Sequence, residues 1–244
     1  MKIDILAVGV HPDDIELSCS GTLLRHLDMG KTVGLLDLTR GELGTRGNAD
    51  IRAREAAEAA HLMGVAFRKN LNLADVFFEY NRESILQIIR IIRWCRPEVV
   101  LANALNDRHP DHGRAAKLVA DACFYAGLAK IVTIGEDTGQ PQERWRPKAL
   151  YHYIQDHNLS PDFVVDITPY IERKIQLVKT FRSQVSLPDA KEYRQELSTP
   201  ISGEDFMQFL YAKARTYARP AGVEFAEGFN VSRPLGVRDL FDLI

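Results

Sequence analysis

Cysteine is scarce in this 244-residue chain: Cys19, Cys95 and Cys123 are odd in number, far apart and set in apolar surroundings. That excludes a disulfide-stapled scaffold and reads as reduced thiols in a cytosolic compartment. A surplus charge of one sign is lacking too. Lys and Arg number 31 against 33 Asp and Glu, a formal net charge of -2, so no general attraction to nucleic acid or to acidic membranes is expected. No apolar run approaches the roughly 18–20 residues of a membrane span. The opening MKIDILAVGV has one Lys and no small-residue cleavage site, so it reads as a buried strand and not as a signal. The expected location is the cytoplasm, with no membrane partner. No Pro/Gly/Ser-rich linker, repeat or low-complexity tract divides the sequence, and residues 1–244 are expected to form one domain.

What is present is an alternation of short β-branched runs and longer helical periods. Residues 3–10 and 32–39 are apolar nearly throughout, as strands covered on both faces of a parallel sheet tend to be. Further strands are expected at about 66–73 and 98–103. Helices are expected at 20–29, 50–63, 82–95 and 112–126, with Gly30, Gly64, Pro97 and Gly127 as stops. This order predicts an α/β, Rossmann-like, doubly wound and mostly parallel sheet with helices on both faces. The second half is less regular: strands at 149–155 and 162–167, helices at 168–182 and 204–218, and a connection over 183–202 read as C-terminal additions to the same domain.

The turn after the first strand lacks the glycines of a dinucleotide or phosphate fingerprint. It reads Gly9-Val10-His11-Pro12-Asp13-Asp14, and the turn after the fourth reads Asn106-Asp107-Arg108-His109-Pro110-Asp111-His112-Gly113. In a sheet ordered 3-2-1-4 these turns face each other across the crevice where such folds bind ligands. Two histidines and a carboxylate from the pair suffice for a metal with positions left open. Proline after His11 and after His109 pushes each histidine toward extended backbone at a strand end. The ordinary work of Asp13, Asp14 or Asp111 at such a turn is to cap a helix or complement its dipole. What favours chemistry is the convergence of His-x-x-Asp and His-x-x-His on one crevice. His26 and His61 read as surface residues, His152 and His157 as weaker pocket candidates, and Cys19 as packing.

HPDD, the stretch LDLTRGELGTRGNADIRAREAAEAA, DRHPDHG and the AEGF near the C-terminus resemble the LmbE/PIG-L-like zinc-dependent N-deacetylases. Within that family the softer segments are most similar to the bacillithiol-biosynthesis branch, which acts on N-acetylglucosaminyl-malate. The resemblance implies His11, Asp14 and His112 as metal ligands, zinc or else ferrous iron as the ion, and Asp13 as the general base of a metal-activated water. It also implies His109 as a second catalytic imidazole, held as imidazolium by Asp111. Arg52 matches a substrate-binding position, Arg108 lies beside the site, and Arg146 matches another active-site arginine. It implies a small amino-sugar substrate and a homo-oligomer, often a hexamer. One departure is that some relatives supply a tyrosine hydroxyl after a Thr-Pro dipeptide, whereas the nearest aromatic after Thr199-Pro200 here is Phe206. A deacetylase of another soluble N-acetylglucosamine conjugate and a non-catalytic metal- or ligand-binding protein are the competing readings.

Overall fold

The computed structural model describes residues 1–185, 193 and 196–243, so part of the connection expected over 183–202 lies outside the described residues. Five strands run parallel in the order expected: β1 (Ile5–Gly9), β2 (Val33–Thr39), β3 (Phe67–Leu73), β4 (Val99–Ala102) and β5 (Ala149–Tyr153). With β6 (Phe163–Asp166) and β7 (Ala226–Val231) they form one sheet of order β3-β2-β1-β4-β5-β7-β6. β1 pairs with β2 on one side and β4 on the other, Ile5 facing both Val33 and Val99.

The central strand is apolar throughout because both of its faces are covered. Leu6 and Val8 pack with Ile88, Ile92, Leu118 and Ala122 of α3 (Arg82–Cys95) and α4 (Pro110–Ala126). Ile5 and Ala7 point the other way, to Ile15, Cys19 and Leu23 of α1 (Asp14–Asp28) and Leu177 of α5 (Ile171–Val178). Each such side chain, fully buried, stabilises the fold by about 1.5–3 kcal/mol. The three cysteines are buried and unpaired.

Helix ends follow local chemistry. The side chain of Asn48 accepts the N–H groups of Asp50 and Ile51 to start α2 (Ala49–Met63), and Gly64 ends it at φ 81°. α4 begins two residues before the expected 112, because Pro110 occupies the first helical position, where a missing N–H costs nothing. α1 begins six residues before the expected 20. Its first two turns mix acidic, small and single apolar residues (DIELSCS), without the leucine cluster that reveals the rest. The expected helix over 168–182 is a short 3-10 turn at Thr168–Tyr170 followed by α5. The strand β7, which periodicity does not announce, enters antiparallel between β5 and β6. The last helix, α6 (Phe206–Ala218), turns residues toward the carboxyl end of the sheet.

Candidate active site

Adjacency of β1 and β4 brings the turns at 10–13 and 103–109 to one rim, over a cavity of about 270 Å³. His11, Asp13, Asp14, Arg52, Arg108, His109 and His112 all line it. The donor atoms of His11, Asp14 and His112 lie within 4.8 Å of one another. His112 Nε2 is 3.2 Å from Asp14 Oδ1, and His11 Nδ1 is 3.8 Å from Asp14 Oδ2. A tetrahedral zinc ion with bonds near 2.0–2.1 Å sets its ligands about 3.3 Å apart, so this donor set fits a divalent cation with an open position. Charge agrees. Among the described lining residues, five carboxylates (Asp13, Asp14, Asp75, Asp107, Asp156) exceed three cations (Arg52, Arg108, Lys213) by the charge of one divalent ion.

Each ligand is braced from behind. Asp14 Oδ2 accepts the N–H groups of Val10 (2.9 Å) and His11 (3.0 Å) and the amide of Asn103 (2.9 Å), while Gln155 donates to Oδ1 at 3.1 Å. His112 Nδ1 lies 2.6 Å from Asp107 Oδ2, whose other oxygen accepts the N–H groups of Asp156 and His157. His11 Nε2 lies 3.1 Å from Asp75 Oδ1. A carboxylate behind a ligand imidazole orients the ring and raises its basicity. Burial opposes protonation of His11, but Asp111 and Asp75 overcome it and raise the ring to about 9. Burial opposes it in His112 likewise, and Asp14 and Asp107 carry that ring up to about 10.

A second set, His11, His109 and Asp111, also lies within 4.8 Å, but two of its donors are engaged. His109 Nδ1 accepts the backbone N–H of Asp111 at 3.3 Å, making His109 the N-cap of α4. The Asp111 carboxylate meets Arg114 and the Val76 N–H. The expectation of an imidazolium held by the Asp111 carboxylate is therefore corrected: the backbone of Asp111, not its side chain, reaches His109. Burial, then the neighbouring His11 and His112, lower the His109 pKa, and a neutral ring whose Nδ1 accepts carries its proton on Nε2.

Asp13 sits at φ 135°, outside the ordinary range for a side-chain-bearing residue, at the junction of β1 and α1. Such backbone persists only where its surroundings hold it. Its Oδ2 is 3.0 Å from the Arg52 guanidinium, which also donates to the carbonyls of Pro12 and Gly41. Burial pushes the Asp13 carboxyl up, against the opposing pull of Arg52. Arg52 thus lines the cavity with its guanidinium already engaged. Arg108 pairs with Asp156 at the rim. Arg146 is not brought to the cavity: it precedes the start of β5, at the opposite end of the sheet, where it stacks over Phe124 and donates to that residue's carbonyl. His152 and His157 do not line the cavity, whereas Thr199, Pro200 and Phe206 do. Sequence reasoning passed over Asp75, Asn103 and Gln155. Their only signal is polarity just beyond the carboxyl ends of β3, β4 and β5, where this architecture binds ligands.

The sequence matches the PIG-L family, described as GlcNAc-PI de-N-acetylase, over residues 6–123. Among solved structures, the conserved protein TT1542 from Thermus thermophilus is 34% identical, with a TM-score of 0.83 over 98% of each chain. This chain belongs to the PIG-L family. The PIG-L match contains both histidine turns and every candidate metal ligand. A diacetylchitobiose deacetylase of Thermococcus kodakarensis is 29% identical, covering 92% of this chain and 81% of its own length. A 1D-myo-inositol 2-acetamido-2-deoxy-alpha-D-glucopyranoside deacetylase of Saccharopolyspora erythraea is 27% identical, covering 80% and 88%. In this PIG-L chain no helix among the described residues is long and apolar enough to cross a membrane.

Proposed function

We propose that this protein is a zinc-dependent N-deacetylase that hydrolyses the acetamide of N-acetylglucosaminyl-malate in bacillithiol biosynthesis. The observation that carries the reading is that Asp13, a buried carboxyl beside Arg52, faces the same cavity as the His11, Asp14 and His112 triad. A structural metal site is closed by four protein ligands; three ligands with a base alongside suit turnover. The deacetylase names of two relatives support the reaction class.

His11, Asp14 and His112 would hold a divalent ion, which would supply Lewis acidity and lower the pKa of water toward about 7. Asp13 takes the proton as water adds to the acetyl carbon, then returns it to the amine as the C–N bond breaks, leaving acetate and the free amino sugar. Neutral His109 presents Nε2–H to the oxygen that gains charge, a contribution of about 3–4 kcal/mol for such donors. Arg52 acts through Asp13, opposing the burial that pushes the carboxyl's pKa up. Guanidinium geometry suits the malate carboxylates, and Arg108 at the rim is the candidate for that contact.

Amine release from N-acetylglucosaminyl-malate by zinc-loaded protein tests the reading. Release from diacetylchitobiose with none from the malate conjugate would move the substrate to another soluble N-acetylglucosamine conjugate. Ferrous loading under anaerobic conditions decides between the two ions. Location in the cytoplasm and assembly as a homo-oligomer, a hexamer on the family resemblance, belong to the same proposal; light scattering reads the latter.

A further inference from the structure

Helix α6 turns Phe206, Phe209, Leu210 and Lys213 into the cavity at spacings of three, four and seven residues, one face of a helix. Lys213 differs from the other lining cations. Arg52 pairs with Asp13 and Arg108 with Asp156, whereas the Lys213 ammonium donates to the carbonyl of Ile154 at 3.0 Å and meets no carboxylate within ion-pair distance among the described residues. The neighbouring Lys174 is consumed by Glu227 at 2.6 Å. An ammonium partly withdrawn from water and not directly paired with a carboxylate gains from an anion arriving from outside. Burial, reinforced by Lys174, lowers the Lys213 pKa to about 7 against the pull of Asp107, Asp156 and Glu227. One turn earlier on the same face, Phe209 is 39% exposed and offers a ring to an apolar sugar face.

We propose that Lys213 is a specificity-determining residue that receives a carboxylate on the aglycone of the substrate, so that the cavity prefers acidic conjugates of N-acetyl amino sugars over neutral ones. The inference rests on the deacetylase reading for the sugar and its acetamide, and adds a residue that selects the group attached to it.

Calorimetric titration of zinc-loaded Asp13→Asn protein, in which turnover is expected to be slow on the timescale of the titration, measures binding of N-acetylglucosaminyl-malate and of N,N′-diacetylchitobiose. The acidic conjugate is expected to bind at least tenfold more tightly. Lys213→Met should abolish that preference, Lys213→Gln should do the same if the methionine variant does not fold, and Lys213→Arg should retain it. Equal binding of the two ligands, binding of neither, or a preference that survives Lys213→Met or Lys213→Gln would overturn the assignment. Turnover by the unaltered protein is a separate readout: no amine from either sugar, with the binding preference intact, refutes deacetylation and leaves the anion site standing.

Discussion

Asp13 Oδ2 lies 3.0 Å from the Arg52 guanidinium, and the two residues are only 5% and 4% exposed. A carboxylate so placed keeps a counter-charge within the cavity wall and one face toward the triad. Asp13→Asn preserves shape and removes the proton acceptor. Turnover should fall by about 10²–10⁴-fold, the usual worth of general base catalysis, with the zinc-to-protein ratio unchanged. Near-unaltered rates would remove Asp13 from the role of base.

Arg52 sets the working pH of that base. Burial raises the Asp13 pKa and the guanidinium opposes it. Below its pKa the carboxyl is protonated and cannot accept, so the rate climbs with pH through that value. Replacing Arg52 by Met removes the opposing charge, and the acid limb of the kcat profile should move to higher pH; Arg52→Lys should move it less. An acid limb that stays in place or moves down would show that the pair is structural only.

Asp107 braces His112 through a 2.6 Å contact to Nδ1 while two backbone N–H groups hold its other oxygen. Loss of such a carboxylate typically weakens metal binding by 10–100-fold. Asp107→Asn should therefore weaken zinc by about that factor in a competitive chelator titration, and His112→Ala should leave the purified protein largely without metal. An unchanged metal-to-protein ratio in His112→Ala would take that residue out of the ligand set.

The ligands are legible before their braces for a geometric reason. His11, Asp14, His109 and His112 come in two short turns, and the order of parallel strands alone brings those turns together. Asp75 and Gln155 come singly from two other strand ends, and Asn103 opens the β4 turn ahead of the histidine motif, so no motif spacing marks any of the three. The same holds for β7: its six residues include Gly228 and Asn230, which break any alternation, and its place between β5 and β6 is set by partners distant in sequence, such as Phe163 facing Phe229. Periodicity finds β1, β2 and β4 because burial on both faces writes continuous apolar runs, whereas the edge strand β3, FRKNLNL, is half-buried and mostly polar. The His109 geometry is hidden because a backbone N–H, invisible in residue identities, occupies the nitrogen assigned to a carboxylate.

Metal loading should release protons. His11 and His112 titrate near 9 and 10, above the usual 6.5, so both rings are protonated at neutral pH when the ion is absent. A ligand nitrogen must be neutral, and each imidazolium therefore yields one proton as the ion enters. The sign follows: zinc affinity rises with pH until about 10, and acidification expels the metal. Calorimetry at pH 7 in buffers of differing ionisation enthalpy should give a release approaching two protons per ion. Zero release would place the cation elsewhere.

The AEGF segment acts on the site from behind, through Glu227. In the middle of α1 the N–H groups of Gly21 and Thr22 donate to the two Glu227 oxygens at 3.0 and 2.7 Å, and the carbonyl of Leu17 accepts from Lys174 at 2.8 Å. Lys174 closes the arrangement on Glu227. Gly21 and Leu17 are the donor and acceptor of one helical turn, so a buried ion pair grips α1 one and a half turns beyond Asp14, its first residue. A side chain at Gly21 would meet Ile167 at 2.9 Å, which is why glycine stands there. Removing one member of a buried pair strands the other, at a cost of about 3–5 kcal/mol, whereas replacing both with apolar residues costs less. Glu227→Ala should lower Tm by roughly 6–20 °C at this chain length, and Lys174→Met combined with Glu227→Leu should recover much of the loss. Equal melting of the single and double variants would show that α1 is anchored by its apolar face alone.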